Sequence, residues 1–572
     1  MRSDRKIVFA ALVILVLAMV ASDADARRRE PNGAYSSRRA KLRSQVDGPV
    51  VIFGYTGRED ASPSYIFSQE ENFYYLTGHN EEGAALLLLP DNSAGSAING
   101  PREILFLPPR NARNERWNGP RLAPGDPNIE EMTSFASVEP IANLKDQVAK
   151  LSKQFTNIYT LLPSDNPTGY PHRANWLKWL QENANGSGAN FRDASQLLAA
   201  MRQVKSATEL ELLTYAVERS MDAHFEAWKI IRPGIHEYEV AARMRETYQR
   251  GGCERDGYSP IVGSGFFSTV LHYNKNDKRI EDGDLVLMDV AGECAGYTSD
   301  ITRTVPANGK FTARQREIYD IVLAAQNAAI TAIKPGMTLG GAGEKSLQKI
   351  ALDVINSRGK DKNGEPLGKY FIHGLGHQIG LNVHDVGVPG RALEAGMVIT
   401  IEPGIYIPEE NLGVRIEDNV LVTETGYKLL TARLPRTASE IEKFMADARR
   451  KSKLTVNTVE DVAYPPLAIQ AQIQGMVEAQ IQISRDGSVS SVRTTGGHRL
   501  LQLAVEERVK GWTFSSTSST DSTPSSLTVR FDFKLEGEPA YPSKCSKAKY
   551  LLPERVELVC APVIPQPHSR LK

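Results

Sequence analysis

Three histidines are concentrated in the glycine-rich segment HGLGHQIGLNVHD, residues 373–385, although the whole 572-residue chain contains only ten. Imidazole nitrogens bind metal ions and exchange protons near neutral pH, so this segment is a candidate for metal ligation or acid–base catalysis. Glycine disfavours a helix, which predicts irregular structure here. A structural or surface role would explain each histidine alone, so the chemistry has to be inferred from the residues around them.

Four carboxylates lie in or beside apolar segments that are typical of buried strands. They are Asp289 in LVLMDV (285–290), Asp300 in YTSDITR (297–303), Glu402 in VITIEPG (398–404) and Glu417 in GVRIED (413–418). Burying a carboxylate costs free energy unless it is paired, hydrogen-bonded or bound to metal. A salt bridge would explain one such residue, but four of them with a histidine cluster indicate two divalent cations. Oxygen-rich ligation without sulfur favours Mn²⁺, Co²⁺, Fe²⁺ or Zn²⁺ over a structural zinc site.

Four motifs in a fixed order resemble those of the pita-bread metallopeptidases, the family of methionine aminopeptidase, prolidase and aminopeptidase P. They are MDVAGECAGYTSDITRT (288–304), HGLGHQIGLNVHD (373–385), TIEPGIY (400–406) and VRIEDN (414–419). The resemblance covers about residues 195–445 and implies a catalytic domain with two divalent metal ions, Mn²⁺ being the first choice. It implies that Asp289 holds one metal, that His377 and Glu402 hold the other, and that Asp300 and Glu417 bridge both.

The same resemblance implies roles for side chains beside the metals. His272 and His384 match histidines that contact the substrate, whereas His373 matches a neighbour that does not bind metal. The metals are expected to activate a water, a histidine to stabilise the oxyanion, and Glu402 to relay a proton to the leaving proline nitrogen. The catalytic candidates are therefore His272, His373, His384, Glu402 and Arg415, and the substrate-binding candidates are His272, His384 and Tyr406.

An N-terminal domain distinguishes the members of this family. QEENFYYLTG (69–78) and LFLPPRNARNERWNGPRLAP (105–124) resemble the creatinase-like amino-terminal domain of aminopeptidase P and prolidase, which methionine aminopeptidases lack. The domain is assigned to residues 40–190, although Ser68 stands where many relatives have Arg. The stretch around Trp117 favours aminopeptidase P, so the expected activity is hydrolysis of the N-terminal Xaa–Pro bond of peptides. Prolidase, an Xaa-Pro dipeptidase, is the alternative.

A small C-terminal domain is predicted after a polar linker at residues 446–462. Alternating strands at 474–483, 488–492 and 527–535 and an amphipathic helix at 500–509 indicate an α+β fold over residues 463–572, with a cysteine-bearing tail. YPPLA (464–468), ISRDG (483–487) and VKGWTF (509–514) resemble the carboxy-terminal domain of TonB proteins.

The TonB resemblance implies that an extended peptide of an envelope protein adds a strand to the sheet. A passive module for stability or oligomerisation is the alternative, and a homo-oligomer is expected. An inactive envelope scaffold is the alternative to an enzyme, but the complete set of metal ligands argues against it.

The N-terminus resembles a secretory signal. Arg2, Arg5 and Lys6 precede an apolar run at 7–21 and an A-x-A pattern ending at Ala26, which predicts a signal peptide at residues 1–26 and a periplasmic or secreted protein. An uncleaved anchor is the alternative, but the run is shorter than the roughly 17–25 residues that span a bilayer.

Charge and cysteine content indicate which partners to expect and what the cysteines do. Lys+Arg and Asp+Glu balance at 68 each, so no binding to nucleic acid is expected. Export permits a disulfide between Cys545 and Cys560, which share one short C-terminal segment. Cys253 and Cys294 are each expected to be a small buried side chain rather than a nucleophile.

Local sequence signals predict the helices and strands that surround these residues. Ser206 with Glu209 and Thr312 with Gln315 are capping boxes that open helices ending near Ile231 and Ile333, each stopped by Pro-Gly. Second helices are predicted at 236–250 and 343–357, which indicates one helix–strand unit used twice. Apolar strands are predicted at 50–53, 84–89 and 104–107. The chain is therefore expected to be an α/β (α+β) protein with a creatinase-like, a pita-bread and a TonB-like domain.

Overall fold

The computed structural model describes residues 28–59, 66–91, 100–163, 172–184, 186, 188–452, 454–484, 486–516, 525–536, 545, 548–551 and 555–562. The predicted signal peptide lies outside these residues. The chain divides into two compact units, one ending at Ala438 and one beginning at Ser439. Among the helices described, we find none with the length and apolarity needed to cross a bilayer.

The first part of the larger unit contains a mixed six-stranded sheet in the order β4-β3-β2-β1-β5-β6. Its elements are α1 (Asn32–Arg43), β1 (Val50–Phe53), α2 (Glu71–Thr77), β2 (Ala85–Leu88), β3 (Glu103–Leu107), α3 (Ala112–Asn118), α4 (Ile129–Thr133), β4 (Val138–Pro140), α5 (Leu144–Leu151), β5 (Asn157–Thr160), α6 (His172–Asn183), β6 (Asn190–Asp193) and α7 (Ser195–Gln203). The three predicted strands are confirmed as β1, β2 and β3, which pair antiparallel around a core that includes Val51, Leu87 and Phe106.

The second part of the larger unit places long helices against small antiparallel sheets. Its elements are α8 (Ala207–Ile230), α9 (Glu237–Arg250), β7 (Arg255–Asp256), β8 (Ile261–Ser264), β9 (Leu285–Asp289), β10 (Gly292–Cys294), β11 (Tyr297–Thr298), β12 (Thr302–Pro306), α10 (Ala313–Ala332), α11 (Leu347–Arg358), β13 (Val398–Ile401), β14 (Gly404–Ile407), β15 (Leu412–Arg415), β16 (Asp418–Val422) and β17 (Tyr427–Leu429). The sheets run β11-β10-β7, β12-β9-β8, β13-β16-β17 and β14-β15.

Both predicted capping boxes are present, at the first turns of α8 and α10. Each of these helices is followed by a second helix that packs against it, α9 on α8 and α11 on α10. The strand register then sets where the acidic residues lie, because β9 pairs with β12 so that Asp289 faces Thr302, and β13 pairs with β16 so that Ile401 faces Asp418.

Cys253 and Cys294 are buried, as predicted, and they are disulfide-bonded to each other, a pairing that was not predicted. Their side chains are buried, at 6% and 0% exposure. The two cysteines are 41 residues apart in sequence and become neighbours because β10 pairs with β7, which aligns Glu293 with Arg255. That pairing depends on sheet register, which the spacing of the cysteines does not reveal.

Replacing Cys253 and Cys294 together with serine is expected to lower the free energy of unfolding of the larger unit by about 2–4 kcal/mol, because the unfolded chain regains loop entropy. Chemical denaturation of the variant and the oxidised wild type measures the change. A Cys545→Ser/Cys560→Ser variant is the matched control, since that disulfide lies in the smaller unit. An unchanged transition of the larger unit in the Cys253 variant would contradict the prediction.

The smaller unit is built around a five-stranded sheet in the order β20-β19-β22-β24-β23. Its elements are α12 (Ala438–Ser452), β18 (Leu454–Thr458), α13 (Pro466–Gln470), β19 (Gly475–Ile483), β20 (Val489–Thr495), α14 (Arg499–Val509), β21 (Thr513–Ser516), β22 (Ser525–Leu535), β23 (Lys549–Leu551) and β24 (Arg555–Cys560). The segment 446–462, interpreted as a linker, contains the end of α12 and the whole of β18. Cys545 and Cys560, the pair predicted from sequence, form a disulfide.

Candidate metal centre

A cavity of about 330 Å³ in the larger unit brings together the predicted metal ligands. It is lined by Leu271, His272, Asp289, Asp300, His373, Gly374, Gly376, His377, His384, Glu402, Arg415 and Glu417. All five residues proposed as ligands therefore face one hollow, together with the three other candidate histidines and Arg415. Tyr406, the remaining candidate, lies behind the cavity wall and contacts it through Arg415 and His373.

The carboxylates reach the cavity because they occupy the ends of antiparallel strands. Asp289 is the last residue of β9, Asp300 lies two residues before β12, Glu402 follows β13, and Glu417 lies between β15 and β16. The backbone N–H of Glu417 donates to the carbonyl of Thr302 at 3.1 Å, which joins the two halves of the site. Strand ends that meet in this way can present four acids without placing any of them inside a hydrophobic layer.

Asp300, His377 and Glu417 form the tightest group. Each offers one ligand atom, and these atoms all lie within 4.8 Å of one another. His377 Nε2 is 3.3 Å from Asp300 Oδ2 and 3.4 Å from Glu402 Oε1. His377 Nδ1 lies 3.0 Å from the carbonyl of Gln378, so a proton on Nδ1 leaves the Nε2 lone pair directed at the carboxylates. This is the tautomer that metal ligation by Nε2 requires.

Two carboxylate oxygens at this centre are buried without a hydrogen-bond partner among the residues that the structure describes. They are Asp300 Oδ1 and Glu417 Oε1. An orphaned buried carboxylate oxygen is costly, and a cation is the partner that removes the cost. The donor set of four carboxylates and one imidazole also suits divalent ions of the first transition row. The residues present therefore fit a metal centre.

Burial and crowding shift the titration of these groups in the metal-free protein. Burial raises the pKa of Glu402 to about 7, and the neighbouring Asp300 carboxylate contributes in the same direction. Burial and nearby carboxylates likewise raise the pKa of Asp300 and, further, that of Glu417. Burial lowers the pKa of His377, but the hydrogen bond and charge of Asp300 outweigh it and raise the pKa to about 9. The site therefore holds excess negative charge that protons, or bound cations, must neutralise.

Asp289 is held differently from the other acids. Its Oδ1 accepts from Tyr258 OH at 2.5 Å, and its Oδ2 accepts from Arg415 Nη2 at 2.7 Å. Arg415 Nη1 donates to Tyr406 OH at 2.9 Å, and that hydroxyl is 2.8 Å from His373 Nε2. Arg415 thus orients the Asp289 carboxylate, and Tyr406 holds Arg415. Tyr258 is missing from the sequence analysis, because GYSP carries no signal that links it to a carboxylate 31 residues away.

Two further supporting residues went unpredicted although both lie in the quoted motifs. Thr302 Oγ1 donates to Glu417 Oε2 at 2.6 Å. The Asn419 side chain lies between the backbone groups of Asp300, donating to its carbonyl at 2.5 Å and accepting from its N–H at 3.3 Å. Thr302 is two residues beyond Asp300, so the alternation of a strand would have placed both on one face.

The three other histidines surround the acidic group. The His384 ring lies 4.3 Å from the His377 ring in an edge-to-face arrangement. Burial lowers the pKa of His384, and the nearby His377 and His272 act in the same direction. Burial and then Arg415 lower the pKa of His373 to about 4. His384 and His373 are therefore neutral imidazoles at pH 7, able to donate one hydrogen bond into the cavity or to its wall.

Family models match three parts of the chain. The model of metallopeptidase family M24 matches residues 211–424, that of the aminopeptidase P N-terminal domain matches residues 35–159, and that of the Gram-negative bacterial TonB protein C-terminal matches residues 460–535.

The most similar curated proteins include bacterial enzymes of this kind. The chain is 36% identical to the Xaa-Pro aminopeptidase of Haemophilus influenzae over 444 residues, covering 73% of this chain and 97% of that protein. It is 33% identical to the Xaa-Pro aminopeptidase of Escherichia coli, covering 68% and 92%. It is also 38% identical to the Xaa-Pro dipeptidase of Pyrococcus furiosus, but over 49% of this chain and 77% of that protein.

Among solved structures, Escherichia coli aminopeptidase P with the inhibitor Pro-Leu matches with a TM-score of 0.65 and 31% identity, covering 74% of this chain and 100% of that one. A zinc-substituted form of the same protein with product matches with a TM-score of 0.64 over the same shares. The predicted fold class and resemblances are thereby confirmed.

The fold and the acidic, histidine-lined cavity define a metallopeptidase hydrolase. The similarity covers both parts of the larger unit and nearly the whole length of the bacterial relatives. The chain belongs to metallopeptidase family M24, as a relative of the Xaa-Pro aminopeptidases with an additional TonB-like C-terminal region.

Proposed function

We propose that the protein is an exported Xaa-Pro aminopeptidase that uses two divalent metal ions to hydrolyse the first peptide bond of substrates with proline in the second position. The observation that carries this proposal is the cavity in which four carboxylates and His377 converge, with two buried carboxylate oxygens left for cations. The aminopeptidase P N-terminal domain and the names of the bacterial relatives support the substrate class.

The proposed ligand assignment is the one that the family resemblance implies. Asp300 and Glu417, with their orphaned oxygens, would bridge the two ions, Asp289 would complete one site, and His377 with Glu402 the other. When bound, the ions polarise the scissile carbonyl and make hydroxide available at neutral pH. We propose Mn²⁺ because the donors are mostly oxygen, while Co²⁺, Zn²⁺ and Fe²⁺ accept the same donor set.

The protein's own residues supply the remaining chemistry. Glu402 would accept a proton from the attacking water and return it to the leaving proline nitrogen. His384 and His272, both on the cavity wall, would donate hydrogen bonds to the oxyanion. Arg415 and Tyr258 keep the Asp289 carboxylate in place, and His373 steadies Tyr406 behind it.

An Xaa-Pro dipeptidase activity is the second candidate, favoured by the similarity to the Pyrococcus furiosus enzyme. That similarity covers a smaller share of the chain than the similarity to the aminopeptidases, so we place it second.

The purified protein with added Mn²⁺ is expected to hydrolyse Xaa-Pro-Yaa tripeptides at least about tenfold faster than Xaa-Pro dipeptides, in terms of kcat/KM. An aminopeptidase positions the first two residues and leaves the chain beyond proline free to extend. Product analysis by chromatography gives both rates from one enzyme preparation, and Xaa-Ala-Yaa peptides are the control for proline selectivity. Cleavage of dipeptides alone would support the second candidate, and cleavage of neither would refute the proposal.

Export is proposed from the signal-like N-terminus and from the cysteines, all four of which are paired in disulfides. Disulfides persist in oxidising compartments, which suits a periplasmic or secreted protein. Mass spectrometry of the protein recovered from the periplasm would test cleavage after Ala26.

The smaller unit is proposed to bind an envelope protein. The outer strands of its sheet are β20 and β23. β22 is not an outer strand, because β24 of the C-terminal tail pairs with it in parallel from Arg530 to Leu535. A partner that adds a strand would use one of those outer strands unless the tail is displaced. A homo-oligomer is proposed as well, and light scattering on the intact protein tests it.

A further inference from the structure

Asp385, the residue after His384, is buried within a charge cluster that the proposed mechanism does not use. Its carboxylate contacts Arg202 Nη2 and lies 3.3 Å from Lys205 Nζ, and the three side chains are 2%, 2% and 1% exposed. Removing one partner from such a buried cluster leaves uncompensated charge, so the arrangement is strongly fixed. The cluster therefore holds the chain at Asp385 in one place.

Gly380 packs directly against the Asp385 carboxylate. A Cβ atom on Gly380 would lie 2.2 Å from Asp385 Oδ2 and 3.2 Å from Lys205 Cε, so a larger residue there would displace the carboxylate. The backbone N–H of Asp385 donates to the carbonyl of Gln378 at 2.9 Å, which closes the loop from 378 to 385.

The same cluster reaches the N-terminal domain. Arg202 Nη1 donates to Asn72 Oδ1 in α2 at 2.8 Å. The neighbouring residue Glu71 accepts from Asn382 Nδ2 at 3.1 Å, and Asn382 Oδ1 accepts from the backbone N–H of His384 at 3.3 Å. Two consecutive residues of α2 thus hold the loop that carries His384.

His377 and His384 differ in what fixes them. The backbone of His377 is held on β13, since its N–H donates to Thr400 Oγ1 at 3.0 Å and its carbonyl accepts from Thr400 N–H at 2.9 Å. His384 is held through Asn382 and through the clamp on Asp385. Disturbing Asp385 should therefore move His384 while leaving the metal ligand His377 in place.

We propose that Asp385 is a positioning residue, which with Arg202, Lys205 and Asn72 fixes His384 on the wall of the catalytic cavity. The N-terminal domain thereby takes part in the reaction by orienting a substrate-contacting histidine. This inference rests on the proposed peptidase function.

The test is a double-mutant cycle on an Xaa-Pro-Yaa tripeptide with the Mn²⁺-loaded enzyme. Asp385→Asn is expected to lower kcat by about 10²-fold, because a catalytic side chain displaced by about 1 Å loses that much. In a His384→Ala background, Asp385→Asn is expected to change kcat by less than about twofold, because both substitutions remove the same interaction. Mn²⁺ affinity measured by calorimetry should stay within about threefold of wild type, since the ligands are fixed by other elements.

Asn72→Ala provides a second variant that keeps every charge of the cluster, in case Asp385→Asn does not fold. It is expected to lower kcat in the same direction, again without effect in the His384→Ala background. Asn143→Ala, at an exposed position of the N-terminal domain, is the matched control and should behave as wild type. Multiplicative losses in the double variant, or wild-type kcat in Asp385→Asn, would overturn the inference. An inactive wild-type enzyme would overturn the proposed function, and the inference with it.

Discussion

Replacing Glu417 with Gln is expected to lower kcat on an Xaa-Pro-Yaa tripeptide by at least about 10³-fold, because the loss of the proposed bridging carboxylate would remove several kcal/mol of metal-based stabilisation. Glu417 is 1% exposed, its Oε2 accepts from Thr302, and its Oε1 lacks a partner among the described residues. Glutamine keeps the volume and can keep the hydrogen bond from Thr302, so the fold should survive. What it removes is the negative charge.

Metal content distinguishes this explanation from a general loss of structure. The Glu417→Gln enzyme should bind fewer than two Mn²⁺ ions per chain after dialysis, whereas wild type should bind two. Glu424→Gln is the matched control, since it makes the same chemical change at an exposed residue of the β16–β17 turn. A Glu417→Gln enzyme with wild-type turnover and two bound ions would refute the bridging role.

Removing the metals is the second change with a large expected effect. A chelator should abolish hydrolysis, and it should lower the melting temperature of the larger unit by more than about 5 °C at pH 8, because a bound ligand stabilises only the folded state. The acids that remain are buried and mutually repulsive, as the raised pKa of Asp300, Glu402 and Glu417 shows. Readdition of Mn²⁺ should restore both quantities.

The pH dependence of the metal-free protein follows from these shifts. The pKa of Glu402 is raised to about 7 and that of His377 to about 9. Each group therefore binds a proton more tightly in the folded than in the unfolded chain. Their contribution to stability is complete below the unfolded pKa values, about 4.5 and 6.5, and is lost as pH rises towards 9. Metal binding requires deprotonated ligands and strengthens over the same range.

The difference in melting temperature between metal-loaded and metal-free protein should therefore grow from pH 5 to pH 9. Differential scanning calorimetry on both forms at several pH values measures it, with the transition of the smaller unit as an internal reference. A difference that is constant or shrinks with rising pH would contradict the proposed neutralisation of the acids by metal.

The sequence predicted those parts of the fold that depend on neighbours along the chain. The capping boxes at Ser206 and Thr312 identify the starts of α8 and α10, because the side chain and the backbone N–H that it accepts from are only three residues apart. The alternation in β19 likewise reflects one buried and one exposed face. The β18–β21 pair and the tail strand β24 escaped prediction, because they become visible only through their partners.

The candidate metal ligands could be identified from sequence because each acid lies in or beside an apolar segment, where burying a carboxylate is costly without a partner. The motifs that contain these acids then matched those of a known family in their order along the chain and in their residue types. That step named Asp289, Asp300, His377, Glu402 and Glu417, and all five line one cavity.

By itself, the sequence determined which side chains are candidates for the chemistry and which local segments form helices and strands, because periodicity, capping and buried charge are properties of residues close in the chain. Only the tertiary structure decided which residues that are distant in sequence contact each other. The contact of Tyr258 with Asp289, the disulfide of Cys253 with Cys294 and the clamp of Arg202 on Asp385 join residues 31, 41 and 183 positions apart. Such pairs depend on strand register and on the paths of loops, and neither can be inferred from the spacing of the paired residues along the sequence.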